Sequence, residues 1–252
     1  MPSDYNEIGA QYLLIKSLPW KRFAERYTLF QALGSLQGKR LIDVACGDGY
    51  YTRMFRDAGA AEVVGVDLSA EMIRLARGQE AGQAQPIRYE VADAGDLGEF
   101  ADQTGLGGFD LAVAEWLLDY AQTREHLRNM CRSLAHVLRP GGRFVHLGGC
   151  FDSIFQHPDN FPKYGINLEI LESHGDGSRC RWTVGTGDNS VSAENTMWTS
   201  ETINAELQAA GFTNIQWPAT EISPAGIEAM GADYWTDFLK HPYHAVTCAT
   251  RT

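Results

Sequence analysis

Two aspartates and two glycines carry the first chemical signal. Asp43 sits inside the apolar run Leu41-Ile42-Asp43-Val44-Ala45, and Cys46-Gly47-Asp48-Gly49 follows at once. Glycines at this spacing let the chain bend sharply and leave room for a ligand against the main chain. The free N–H groups of the helix that starts next face the same spot. Asp67 ends a second apolar run, Val63 to Val66, at roughly the 20-residue distance where an acid meets ribose hydroxyls in nucleotide-binding βαβ units. A dinucleotide fingerprint would place a third glycine where Thr52 stands. Pyrophosphate is therefore poorly served, and the Asp43 carboxylate would attract a cation and repel a phosphate. The implied ligand has a ribose and an ammonium group but no phosphate.

Residues placed in this way need strands that end together, each followed by a helix. The spacing predicts strands at Leu41–Ala45, Glu62–Val66, Ile87–Val91, Phe109–Ala114 and Arg143–Leu147. Helices are predicted at Tyr50–Ala58, closed by Gly59, at Ala70–Arg77, capped by Ser69, and at Arg124–Leu138, stopped by Pro140-Gly141-Gly142. In that last helix Leu127, Cys131, Leu134 and Leu138 share one face. Two helical patterns, Tyr5–Leu18 and Phe23–Leu33, come before the sheet. After Phe151, the stretches 167–172, 179–184 and 191–198 alternate like short antiparallel strands of a cap. A helix to Ala210, a helical stretch over Ser223–Leu239, and a closing antiparallel pair, Phe212–Trp217 and His244–Thr250, complete the chain. Packing is the expected role of Tyr234, Trp235 and Phe238. In an open parallel sheet, ligands bind beyond the carboxyl ends of the strands, where strand order reverses.

The segments LIDVACGDG, VVGVDLSAEMI, VADAGDL, FDLAVAEWLL and LRPGGRF, in this order from about Gly38 to Cys150, resemble the motifs of class I S-adenosylmethionine-dependent methyltransferases. The two ends, YNEIGAQYLLIKSLPWKRFAERYTLF and SPAGIEAMGADYWTDFLKHP, are similar to a narrower group, the toxoflavin-type enzymes that methylate azapteridine nitrogens. The resemblance implies an α/β, Rossmann-like fold with a seven-stranded, mostly parallel sheet, one antiparallel strand, N-terminal helices and a small β cap. Residues 1–252 would form a single methyltransferase domain, with a helical lid at 1–37, a cofactor core at 38–150, a substrate cap at 151–198 and closing elements at 199–252.

The implied cofactor is S-adenosylmethionine, leaving as S-adenosylhomocysteine. Asp43, Ala45, Cys46, Gly47, Gly49 and Asp67 would hold it, with Leu68 and Met72 around the adenine and the main chain of Ala114 at the ammonium. By resemblance, Asp93, beside Ala94, would accept from the adenine amine, and Tyr12 would close the site with Lys16 or Arg22 at the cofactor carboxylate. Trp116, Asp119, Tyr120, Phe151, Trp182 and Trp198 are the candidate acceptor walls, with Phe155 and Tyr164 as further cap aromatics. His146 and Glu115 are the candidate catalytic groups. An already nucleophilic ring nitrogen would need no base, because the donor is reactive and alignment suffices. Ordinary packing competes as a role for Tyr12, for His146 and for half of the cap aromatics.

Composition narrows the partners. Twenty-one basic against 32 acidic residues leave a net charge of −11 with no basic run, so nucleic acid and anionic membrane are poor partners. A small neutral or cationic substrate fits better. The five cysteines (46, 131, 150, 180 and 248) show no CxxC spacing, which argues against a disulfide framework or a structural zinc. No metal is expected. A soluble cytoplasmic monomer or homodimer is the natural expectation. Two rival functions stand beside methyl transfer. A nicotinamide-dependent dehydrogenase would leave Asp43, Thr52 and Asp93 without purpose. A protein that binds the cofactor without turnover, or an inactive partner subunit, shares every motif, because a fold does not certify chemistry.

Overall fold

The computed structural model describes residues 15–83, 87–154, 161–187 and 189–252. Strand β1 (Arg40–Val44) buries Leu41, Ile42 and Val44 almost completely, because parallel neighbours flank it and helices cover both of its faces. Those neighbours are β2 (Glu62–Asp67) and β4 (Phe109–Glu115). A strand without a solvent face reads as a continuous apolar run, which is why these segments lack alternation. β3 (Arg88–Val91) and β5 (Leu138–Gly149) extend the parallel set on either side. β10 (His244–Arg251) runs antiparallel between β5 and β9 (Phe212–Gln216), giving the order β3-β2-β1-β4-β5-β10-β9. The sheet is thus Rossmann-like and seven-stranded with one antiparallel strand, as expected.

Helices α1 (Arg26–Leu33), α2 (Tyr50–Asp57) and α3 (Ala70–Gln79) supply Leu29, Phe55 and Ile73 to one core layer, against Leu41, Val113 and Val145. Helices α4 (Leu97–Thr104) and α5 (Arg124–Val137) build the other layer against Ile42, Val44 and Phe144. Leu127, Cys131, Leu134 and Leu138 all lie in that layer, as their spacing predicts. α4 was not anticipated. A single turn, α6 (Phe151–Ile154), leads toward the cap.

The cap is a separate three-stranded antiparallel sheet of β6 (Ile166–Glu172), β7 (Ser178–Thr186) and β8 (Asn189–Met197). Ile166, Cys180, Trp182 and Met197 join Trp20, Phe161, Trp235, Phe238 and Tyr243 in a third apolar cluster. Tyr164 also belongs to it, so this cap aromatic packs. α7 (Ser200–Ala209), whose N-cap Thr199 accepts from the Thr202 amide, then returns the chain to the main sheet.

Three elements differ from expectation. The helix predicted over 223–239 is broken into α8 (Pro224–Met230) and α9 (Ala232–Lys240) at Gly231, whose φ of +81° no helix interior accommodates. β5 begins at Leu138 and carries the Pro140-Gly141-Gly142 segment within it. Lys21–Glu25 forms a π-helical turn running directly into α1. Tyr12 and Phe155 lie outside the described residues.

Candidate cofactor and acceptor site

The order of the sheet reverses between β1 and β4, and there a cavity of about 500 Å³ opens at the strands' carboxyl ends. That size falls in the range of small-molecule sites, roughly 300–1,000 Å³. Ala45 and Trp116, the residues next after Val44 and Glu115, both take left-handed backbone conformations, with φ of +65° and +58°. Non-glycine residues held there cost on the order of 1–3 kcal/mol each and cluster at functional sites. The Trp116 amide donates to Leu147 O at 2.6 Å, which fixes the bend at the end of β4.

The glycine turn is tied to β2 through Asp67. One carboxylate oxygen accepts from the Gly47 amide and the other from the Ser69 amide, each at 2.8 Å. Burial pushes the Asp67 carboxyl upward, and these two amides pull it back. Ser69 in turn caps α3 by accepting from the Met72 amide at 3.3 Å. Asp93 accepts from the Gly95 amide at 2.8 Å, shaping the turn after β3. Ala45, Gly47, Asp67, Leu68, Met72, Asp93 and Ala94 all line the cavity. Cys46, Gly49 and Ala114 do not. Gly49 serves as the left-handed N-cap of α2, the Cys46 thiol is buried and pushed well up, and Ala114 is enclosed in the core.

Asp43 is placed differently from the sequence expectation. It is fully buried behind the turn, outside the cavity lining, and accepts from the Thr52 hydroxyl at 2.5 Å. The threonine at the third-glycine position therefore holds this acid. The second Asp43 oxygen has no partner among the described residues, and burial pushes the carboxyl up to about 7. Glu115, at the end of β4, does line the cavity. Its Oε1 is buried without a partner among the described residues, and burial, with the charges of Asp43 and Glu25 behind it, raises its pKa well above the usual carboxylate range.

The surroundings of Trp116 bring in a residue that sequence alone does not point to. Glu25 is fully buried and accepts from Lys21 at 2.8 Å, from the Tyr51 hydroxyl at 3.0 Å and from Trp116 Nε1 at 3.1 Å. Its one sequence signal is the Lys21/Glu25 spacing of four; the other partners are distant in the chain. Trp116 also packs on Tyr243 at 5.2 Å and edge-on to Trp20 at 6.4 Å. A smaller cavity of about 80 Å³ lies beside these rings, walled by Trp20, Trp116, Trp182 and Tyr243. The two cavities share Trp116, Tyr120, Ala193 and Asn195.

Asp119 lines the larger cavity, with Oδ2 accepting from the Gly149 amide at 2.9 Å and Oδ1 unpaired among the described residues. Burial pushes it up to about 7. His146 does not reach either cavity. Its Nε2 accepts from the Leu118 amide at 3.4 Å and burial pulls the imidazole down to about 3, so it is neutral with its lone pair already directed at the main chain. This packing replaces the catalytic role expected from sequence.

Phe151 and Trp198 are likewise core residues. Phe151 joins the third apolar cluster, and Trp198 Nε1 donates to Ala121 O at 2.9 Å. Trp182 faces only the smaller cavity. Lys16, considered for the cofactor carboxylate, is paired with Asp48. Among the described residues no three His, Cys, Asp or Glu side chains are placed to hold a metal ion, and no helix is long and apolar enough to cross a membrane.

Comparison with known proteins agrees with this geometry. Residues 41–142 match a family model described as a methyltransferase domain. The chain is 31% identical over 144 residues to O-methyltransferase cnsE of Penicillium expansum, covering 56% of this chain and 48% of that one. The chain spans about half the length of the curated relatives it matches. An S-adenosylmethionine dependent methyltransferase from Mesorhizobium loti superposes with a TM-score of 0.61 at 22% identity, over 94% of this chain and 100% of that one. Magnesium protoporphyrin IX methyltransferase from Synechocystis, solved with bound S-adenosylhomocysteine, gives a TM-score of 0.61 at 16% identity, over 100% and 98%. The chain has the Rossmann-like fold of these solved methyltransferases, and its similarity to the methyltransferase-domain model spans residues 41–142.

Proposed function

We propose that this chain moves the methyl group of S-adenosylmethionine to nitrogen or oxygen of a small, planar heteroaromatic acceptor. The observation that carries the reading is the pair of adjoining cavities. One is polar-ended and follows the β1, β2 and β4 termini; the other is walled by tryptophan and tyrosine, and Trp116 stands between them. The residues fit the cofactor by their chemistry. Leu68, Met72 and Asp93 would take the adenine, Asp67 the ribose, and the Glu115 carboxyl the cationic end.

When bound, the sulfonium supplies an activated methyl carbon, so the protein's task is alignment and exclusion of water. Well-oriented groups of this kind remove roughly 7–11 kcal/mol of a barrier. Trp116 and Tyr120 border both chambers and would hold the acceptor in line with the methyl carbon. Where the acceptor must lose a proton, Asp119 is suited to take it, since it lines the cavity and burial pushes its carboxyl up to about 7. Such a base adds about 10²–10⁴-fold. Azapteridine nitrogens are the specific acceptor suggested by the resemblance of the chain's two ends. Titration calorimetry with S-adenosylmethionine, followed by assay of S-adenosylhomocysteine release with flat nitrogen heterocycles, tests the reading. Absence of binding heat from folded protein would overturn it.

A further inference from the structure

Residues paired across an antiparallel ladder share a face. In the cap, Val191 pairs with Val184, Ala193 with Trp182, and Asn195 with Cys180. Asn195 is therefore a polar residue in an apolar stripe that runs on to Met197. The neighbouring polar side chain of that face, Ser178, is satisfied locally, donating to Gly175 O and accepting from the His174 amide. Asn195 is not. It is 9% exposed, and while its main-chain carbonyl accepts from Cys180 Sγ, its carboxamide has no hydrogen bond among the described residues. Its amide atoms are not sealed off, so a molecule in the cavities can pair with them. Asn195 borders both cavities, at the junction between the cofactor chamber and the aromatic one.

A carboxamide offers one acceptor and a paired donor in a plane. The matching ligand edge is a carbonyl beside an N–H, as in a lactam. We propose that Asn195 selects acceptors carrying such an edge, Nδ2 donating to the ring carbonyl and Oδ1 accepting from the ring N–H, with the flat ring against Trp116 and Trp182. An aliphatic acceptor would leave the carboxamide unpaired. An anionic one would meet Asp119 and Glu115, while the nearby Arg179 and Arg181 are already engaged by Glu194. This inference rests on the methyltransferase reading and names the acceptor class for the same site.

The test uses two probes of one ring size, 2-quinolone with the lactam edge and 2-methoxyquinoline without it. Quenching of tryptophan fluorescence is followed in protein saturated with S-adenosylhomocysteine. We expect 2-quinolone to bind at least about tenfold more tightly, because a site built to hydrogen-bond an N–H rejects an analogue lacking it. Asn195→Leu, close in volume, should bring the two probes within about threefold of each other, and Asn195→Asp should retain part of the preference through its acceptor oxygen. S-adenosylhomocysteine affinity in both variants reports an intact fold. No preference in the parent, no binding of either probe, or a preference that survives Asn195→Leu overturns the inference. Failure of S-adenosylhomocysteine to bind the parent overturns instead the reading beneath it.

Discussion

Asp119→Asn offers the sharpest test of how burial sets the chemistry of this site. The unfolded carboxyl ionises near 3.8 and the folded one at about 7. Between those values the folded chain holds a proton that the unfolded chain has lost. This contribution to stability is complete below about pH 4 and is lost as pH rises through 7, at roughly 1.4 kcal/mol per pH unit in the intervening window. The amide does not titrate. Its nitrogen at the unpaired Oδ1 position shifts the stability curve without tilting it. From pH 5 to pH 8 the stability difference should therefore move in the variant's favour by about 3 kcal/mol, on the order of 10 °C in melting temperature. Urea unfolding of both proteins across that range, at constant ionic strength, measures it. Parallel curves would show that Asp119 is ionised in the folded chain and would remove it as a proton acceptor. With an acceptor that must lose a proton, the same variant should lose about 10²-fold or more in kcat with little change in cofactor affinity.

Three further outcomes are expected. Glu115 is a buried acid of the cavity whose pKa is raised by burial and by the charges of Asp43 and Glu25, so the cation of S-adenosylmethionine should draw off part of a proton and bind more tightly at pH 8 than at pH 6. Calorimetric heats identical in buffers of different ionisation enthalpy would contradict this. Gly49→Ala forces a Cβ to within 2.3 Å of the Tyr89 hydroxyl at a φ of +78° and should cost at least about 1–3 kcal/mol together with cofactor affinity; a variant as stable as the parent would refute the strain argument. Trp116→Phe removes one of the donors on buried Glu25 and should lower stability by about 1–3 kcal/mol, with unchanged urea midpoints counting against the bond.

The glycine turn, the acid at the end of β2 and the cap of α3 were all legible because each depends on residues close in sequence. Asp67 reaches Ser69 two positions away, and the bend at Gly47-Asp48-Gly49 needs only local backbone freedom. Glu25 was missed because its partner Trp116 is 91 residues distant. His146 was misassigned because the side a strand residue faces depends on its neighbours, and its place beside Ala114 and Thr247 encloses it. Asn195 had one sequence signal, an amide at an apolar position of an alternating strand. Its meaning required knowing that two cavities meet there.

The sequence alone determined the frame. Apolar runs without alternation, capped helices and one tight turn specify a parallel sheet with a glycine turn at its carboxyl edge, since these preferences act over about ten residues of chain. Tertiary structure decided which acids stay shielded, which line the cavity, and which rings wall it. Asp43, Glu115 and Asp119 look alike as isolated carboxylates, and their differences arise from solvent exclusion and from charges contributed by remote parts of the chain.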